Sequence, residues 1–140
     1  MECPLCSTNP NDLIWQDTLC RVIAGNDPDY PSYCKVVWGE HVAEMSDLDA
    51  FARRHFMNVV FAVESSLRTL TNPDKINLAS LGNKVPHLHW HVIARFTDDR
   101  HFPESVWGRE QRIAPTRDTP DRTALATRIS VELARISVTC

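Results

Sequence analysis

Residues 85–93 read VPHLHWHVI, a stretch in which three histidines alternate with apolar residues. Side chains of a β-strand point alternately to its two faces, so this alternation predicts a strand over residues 87–96. We expect His87, His89 and His91 to share one face, with neighbouring rings about 6–7 Å apart along the strand. The apolar residues between and after them would then face the core.

Shorter apolar stretches on both sides of this motif predict further strands. They are rich in β-branched and aromatic residues and are bounded by turn-forming residues. These stretches are residues 13–15, 19–23, 33–38 and 75–81. Residues 25–32 contain two prolines and several turn formers, which predict a loop.

Two helices are predicted from periodicity and capping residues. Apolar residues recur at helical spacing over residues 48–67, with Ser46 as the expected N-cap and an end near Leu70. A last helix is expected to begin with Thr119 as its cap and Pro120 in its first position. The order of elements predicts an α+β fold, in which an antiparallel β-sheet is covered by a long amphipathic helix and a C-terminal helix.

Length and composition limit the domain organisation and the partners. The 140 residues predict a single domain (1–140), with a core at about 3–110 and a C-terminal helical extension at about 119–138. The net charge of −3 gives no general attraction to nucleic acid or to an anionic membrane. No secretion signal or membrane span is visible, which favours a cytoplasmic location. Five cysteines, an odd number, argue against a disulfide framework.

A row of imidazoles on a rigid strand has more than one interpretation. Imidazole titrates near neutrality, so it can act as nucleophile, proton carrier or metal ligand. A histidine that attacks phosphorus divides one displacement into two steps, while flanking rings hydrogen-bond the phosphoryl oxygens. Alternating histidines on a strand also suit zinc. On spacing alone, phosphate chemistry and metal binding remain equally supported. A third, less favoured interpretation is that the histidines only cover a solvated face of the sheet.

The motif in residues 87–93 resembles the signature of the histidine triad (HIT) family, in which two further apolar residues follow the alternating histidines. Residues 77–85 and Arg95 are similar to the family's segments on either side of the triad. Residues 31–37 are similar to the strand after its nucleoside loop. The resemblance implies the HIT fold, a homodimer and the bacterial branch that is similar to diadenosine tetraphosphate hydrolases.

The same resemblance implies an activity. It suggests a nucleotidyl hydrolase or transferase that acts on a nucleoside phosphoramidate or a dinucleoside polyphosphate, with no cofactor required for catalysis. The middle histidine, His89, would be the nucleophile and form a nucleotidyl-histidine, while His87 and His91 orient the phosphate and manage protons. Two alternatives stay open: a nucleotide-binding module with little catalysis, and a metalloprotein in which the three histidines bind one metal.

Further substrate contacts are implied by position in the family pattern. Asn77 lies where an amide contacts the phosphate or the surroundings of the nucleophile. Asn83 and Lys84 lie in the turn that contacts the phosphate chain, although an exposed lysine often points only to solvent. Asn26 and Asp27 are the candidates for contacts with the ribose hydroxyls.

One departure from the family pattern concerns Tyr33. Many members have a fourth histidine at this position, and its replacement by tyrosine leaves a role for this residue in proton movement open.

The N-terminal region suggests a second site. Cys3 and Cys6 have the two-residue spacing that lets both thiolates reach one zinc ion. Some bacterial histidine triad proteins look similar here and hold zinc with such a pair, a later histidine and the first triad histidine. The resemblance implies Cys3, Cys6, His41 and His87 as ligands of a structural zinc ion. His87 would then be a ligand instead of a phosphate donor.

Overall fold

The computed structural model describes residues 2–138, which form one antiparallel sheet and two α-helices. The sheet has five strands in the order β1-β2-β3-β5-β4. The strands are β1 Leu13–Gln16, β2 Cys20–Ala24, β3 Cys34–Trp38, β4 Lys75–Ala79 and β5 His89–Arg95. The helices are α1 Ala50–Thr71 and α2 Arg122–Val138. The predicted α+β fold is confirmed.

Helix α1 packs its apolar stripe on the sheet. Phe56, Val60 and Val63 are fully buried, and the ring of Phe56 lies 5.3 Å from that of Trp38 in β3. The predicted cap was wrong. Residues 45–47 form a short 3-10 helix, and α1 begins later, where the side chain of Asp49 accepts a hydrogen bond from the backbone of the fourth residue of the turn.

Helix α2 packs against α1 and completes the core with Leu125 and Ile129. Its predicted cap was also wrong. The carboxylate of Asp121 accepts a hydrogen bond from the backbone N–H of Ala124 at 2.9 Å, so Asp121 caps this helix instead of Thr119. An aspartate directly before the first turn satisfies a free N–H and favours the positive end of the helix dipole.

Two properties of the described residues bear on the chemistry. Neither helix within residues 2–138 combines the length and hydrophobicity that a bilayer crossing requires. The four cysteines in this range are free, and Cys20 and Cys34 are buried in the core. Burial raises the pKa of the Cys34 thiol to about 12, so this thiol is inert at neutral pH. Cys140 lies outside the described residues.

Candidate functional site

Strand β5 lies inside the sheet and carries two of the three triad histidines on one face. His91 is paired with Lys35 of β3 and with Ala79 of β4, while His89 is paired with Val37. Directly paired residues of antiparallel strands point to the same face, so these side chains form one surface. The residues that alternate with the histidines lie on the opposite face, which α1 covers.

The ring of His89 makes one hydrogen bond, which determines the nitrogen that carries its hydrogen. Its Nδ1–H donates to the backbone carbonyl of His87 at 2.6 Å. A neutral imidazole has only one N–H, so Nε2 of His89 keeps its lone pair. The ring is only 7% exposed and lies in the middle of the sheet face. This arrangement holds the tautomer that a nucleophilic histidine requires.

His91 lies directly beside His89 and is neutral at physiological pH. The two ring centroids are 4.8 Å apart, closer than the strand repeat alone predicts. Burial above all, followed by the neighbouring charges of His89 and Lys35, lowers the pKa of His91 to about 4. We therefore expect His91 to act through a hydrogen bond at neutral pH and not as a cation.

Tyr33, which replaces the family's fourth histidine, hydrogen-bonds Nδ1 of His91 through its hydroxyl. Burial raises the pKa of Tyr33, so the hydroxyl keeps its hydrogen. With this hydroxyl as donor, Nε2 of His91 carries the hydrogen of the ring. The Tyr33 ring lies against Gly25, where any side chain would meet it at 2.4 Å. Tyrosine therefore keeps a hydrogen-bond partner for the last triad histidine.

His87 lies before the start of β5 and is fully buried, so it does not belong to the strand's row of histidines, which is a correction to the predicted row of three. The adjacent Leu88 donates its backbone N–H to the carbonyl of Val42, and its own carbonyl accepts from the backbone N–H of Trp38. The ring of His87 is fully buried, and its Nε2–H donates to the carbonyl of Trp38 at 2.6 Å. Burial, as the largest cause, lowers the pKa of His87, so the ring stays neutral with a lone pair on Nδ1.

The free nitrogen of His87 points into a group of four ligand-type atoms. Its Nδ1 lies 3.4 Å from Sγ of Cys3, 3.6 Å from Sγ of Cys6 and 3.3 Å from Nδ1 of His41. Sγ of Cys6 lies 3.3 Å from the same nitrogen of His41. The structure thus brings together all four residues that the sequence suggested for zinc.

The hypothesis that the triad histidines jointly bind one metal is wrong for the described residues. Within residues 2–138, groups of metal-binding side chains with mutually close ligand atoms occur at the Cys3 cluster and at Asp17, Cys20 and His55, but not at the triad. The reason is that His87 turns towards the cysteines, while Nδ1 of His89 is used by a backbone carbonyl.

Asn77 lies on the same sheet face but is held by a buried ion pair. Its Oδ1 accepts a hydrogen bond from Nη1 of Arg95 at 2.7 Å. Arg95 also binds both carboxylate oxygens of Asp99, which lies just after the strand. Burial alone would raise the pKa of Asp99, but the hydrogen bonds from Arg95 and from backbone N–H groups outweigh it and lower this pKa. The ion pair orients the Asn77 amide.

The other predicted substrate residues lie at two ends of the site. Asn83 and Lys84 are exposed in the bend between β4 and β5. Asn26 and Asp27 line a cavity of about 430 Å³ beside the loop after β2, and Tyr33 also lines this cavity. Asn26 adopts a left-handed backbone (φ 56°), and its side-chain amide donates to the carboxylate of Asp12 in the turn before β1.

Two residues of this surface were missed by the sequence analysis. Lys35 is paired with Ile23 on one side and with His91 on the other. It lies two residues after Tyr33, so the alternation of side chains along a strand could have placed both on the same face. The exposed ring of Trp107 lies edge-on to His91, with 4.9 Å between ring centroids. Trp107 belongs to an irregular segment, so no periodic signal could have placed it.

Comparisons with known proteins agree with this geometry. A family model described as the HIT domain matches residues 7–98. A histidine triad protein from Bradyrhizobium japonicum is 34% identical, with 92% of this chain and 96% of that chain covered and a TM-score of 0.66. One from Marinobacter aquaeolei is 26% identical, with 89% and 91% covered and a TM-score of 0.68. One from Sinorhizobium meliloti is 29% identical, with 87% and 90% covered and a TM-score of 0.68. No curated protein sequence is similar enough to count as a match.

Proposed function

Because the chain belongs to the histidine triad (HIT) family, we propose that it is a nucleotidyl hydrolase or transferase in which His89 attacks the α-phosphorus of a nucleotide conjugate. The observation that carries the proposal is the hydrogen bond from Nδ1–H of His89 to the carbonyl of His87. It leaves the lone pair of Nε2 available on the sheet face, next to the neutral imidazole of His91.

The reaction then has two balanced steps. Nε2 of His89 forms a bond to the α-phosphorus, and the bond to the leaving oxygen or nitrogen breaks with its electron pair on the leaving group. A polyphosphate departs as an anion, whereas an amine takes a proton from water. Water then attacks the phosphorus, the P–N bond breaks, its electrons return to Nε2, and a nucleoside monophosphate and a proton are released.

His91 and Asn77 act on the substrate without entering the covalent step. The Nε2–H of His91 can donate a hydrogen bond to the phosphoryl or leaving-group atoms, because Tyr33 occupies the other nitrogen. The amide of Asn77 is oriented by Arg95 and faces the same surface. In this proposal Asn83 and Lys84 meet the phosphate chain.

The proposed substrates are nucleoside phosphoramidates and dinucleoside polyphosphates, including those of the diadenosine tetraphosphate type. The ribose would lie near Asn26 and Asp27, on the loop that reaches the triad through Tyr33. A polar loop of this kind offers acceptors for the two ribose hydroxyls.

The decisive test is the His89→Ala variant, assayed with a panel of adenosine and guanosine phosphoramidates and dinucleoside polyphosphates. We expect turnover to fall by a factor on the order of 10⁴ or more, because the covalent route is lost. Wild type quenched in alkaline denaturant should carry one nucleotidyl group on His89, measured by peptide mass at alkaline pH, because a P–N bond to histidine is hydrolysed in acid. The matched control is His55→Ala, a histidine of α1 that pairs with Asp17 away from the site.

Two outcomes would contradict this proposal. Unchanged turnover in the His89→Ala variant would remove His89 from its role. Nucleotide binding by the wild type without any turnover of the panel would favour the alternative of a binding module.

The proposal includes a structural zinc ion held by Cys3, Cys6, His41 and His87. Four ligands around zinc at ordinary bond lengths place sulfur and nitrogen about 3.6 Å apart and two nitrogens about 3.3 Å apart. The S–N distances of 3.3–3.6 Å and the N–N distance of 3.3 Å fit this arrangement. Such an ion would tie the N-terminal segment to the sheet.

Location and assembly complete the proposal. A cytoplasmic location is favoured because a zinc-binding dithiol has to stay reduced. A homodimer is favoured because β4 is an edge strand, with β5 on one side and no strand on the other within residues 2–138. A second copy could pair with this edge and extend the sheet across a two-fold axis.

A further inference from the structure

Lys35 occupies a central place on the face that carries His89 and His91. It lies on β3, paired with Ile23 of β2 on one side and with His91 of β5 on the other. Paired residues share a face, so the lysine side chain rises from the same surface as the two triad rings. It is partly buried, unlike the exposed Lys84 and Lys75, the other two lysines of the chain.

The ammonium group of Lys35 has no anionic partner among the described residues. Within residues 2–138, no carboxylate forms an ion pair with it, and no side chain or carbonyl accepts a hydrogen bond from it. Its cross-strand neighbours are an aliphatic side chain and an imidazole that is neutral above a pH of about 4. A partly desolvated cation without a partner costs free energy, which an anionic ligand would recover.

The position of Lys35 sets what this anion can be. His91 is its direct neighbour, and His89 is diagonal to it, at about 7–8 Å between backbone positions. A lysine side chain spans about this distance, so the ammonium can reach the space above both rings. This is the space that a phosphoryl group attacked by Nε2 of His89 would occupy.

We propose that Lys35 is a further catalytic residue, whose ammonium group binds nonbridging oxygens of the phosphoryl group attacked by His89. This inference rests on the proposed function. The ammonium group of Lys35 and the neutral ring of His91 have different roles. Lys35 offsets the charge of the phosphoryl oxygens, and His91 donates one directed hydrogen bond.

The alternative that Lys35 binds a distal phosphate of the leaving group is less favoured by its position. The leaving group is assigned to the bend of Asn83 and Lys84, which precedes β5. Lys35 instead lies beside the middle of β5, on the side of β2 and of the loop with the ribose candidates. A cation there is closer to the reacting phosphorus than to the far end of a phosphate chain.

The test compares Lys35→Met with Lys35→Arg and with the control Lys75→Met. Lys75 is exposed on β4, and its ammonium donates to the carbonyl of Ile76. We expect Lys35→Met to lower kcat/KM by about 10²–10³-fold on phosphoramidates and dinucleoside polyphosphates alike, with Lys35→Arg in between. The control should keep its activity. Thermal unfolding checks that each variant folds.

Binding is measured separately from turnover, by calorimetry with inorganic phosphate, adenosine 5′-monophosphate and adenosine. Lys35→Met should weaken the binding of phosphate and of the monophosphate at least about tenfold. Adenosine has no phosphate, so its affinity should not change. These measurements do not depend on catalysis, so they test Lys35 even if the proposed function fails.

Several results would overturn the inference while leaving His89 in its role. The first is a Lys35→Met variant that keeps wild-type activity while the His89→Ala variant is inactive. Loss of activity on dinucleoside polyphosphates only would assign Lys35 to the leaving group. Equal loss of affinity for adenosine would indicate a structural effect, and a wild type that binds neither phosphate nor the monophosphate would exclude an anion site.

Discussion

The neutral state of His91 predicts a specific acid sensitivity of the fold. Burial lowers the pKa of His91 from its usual 6.5 to about 4 in the folded protein. As the pH falls below 6.5, the unfolded chain binds a proton at this residue, while the folded protein resists it until about pH 4. The contribution of His91 to stability is therefore complete at neutral pH and is lost as the pH falls through this window.

The magnitude follows from the size of the shift. A change of 2.5 pKa units at about 1.4 kcal/mol per unit gives up to about 3 kcal/mol between pH 7 and pH 4. The assay is urea unfolding of the wild type and of His91→Gln at pH 7, 6, 5 and 4, at matched metal content. As the pH falls from 7 to 4, we expect the wild type to lose about 3 kcal/mol more of its unfolding free energy than the variant loses.

The comparison isolates His91 because other acid-sensitive groups are present in both proteins. The lowered pKa of Asp99, for example, also costs stability in acid, but it does so equally in the wild type and in the variant. A difference that stays constant within about 0.5 kcal/mol from pH 7 to pH 4 would refute the reasoning. Imidazole nitrogen shifts measured by NMR give a second check, since titration of His91 near its ordinary value would refute the assigned neutral state.

Two further predictions concern the ion pair and the zinc cluster. Asp99→Asn should lower the free energy of unfolding by about 3–5 kcal/mol, because it leaves the buried Arg95 cation unpaired. The control Asp98→Asn, at an exposed ion pair, should lower it by less than about 1 kcal/mol. Urea midpoints measure both variants, and equal effects would contradict the role of the buried pair. Elemental analysis should find one zinc ion per chain in the wild type and in Cys34→Ala but not in Cys6→Ser. Equal metal content in all three would count against the cluster.

Much of the fold could be predicted because its elements have strong local periodicity. The apolar spacing of α1 and the alternation in β5 each arise from residues close in sequence, so their type could be read directly. The caps were less predictable. Ser46 and Thr119 are good caps by residue type, but Asp49 and Asp121 lie nearer the first turns that packing selects.

The site was predictable in composition and only partly in geometry. The pairing of Tyr33 with His91 and the position of Lys35 depend on which strands become neighbours, and β3 reaches β5 across fifty residues of intervening chain. The separation of His87 from the other two histidines also escaped the strand pattern, because the chain bends at His87, before β5 begins.

By itself, the sequence determined the net charge of −3, which is a sum over the chain. It also determined the period of the elements and the family motif, since both are properties of residues near one another along the chain. Only the tertiary structure decided which ring nitrogen of His87 and of His91 is free, because that depends on distant partners: a carbonyl of Trp38 for His87 and a hydroxyl of Tyr33 for His91. It also brought Cys3 to within 3.4 Å of a histidine 84 residues away. Such contacts come from the packing of the whole chain, which no local pattern encodes.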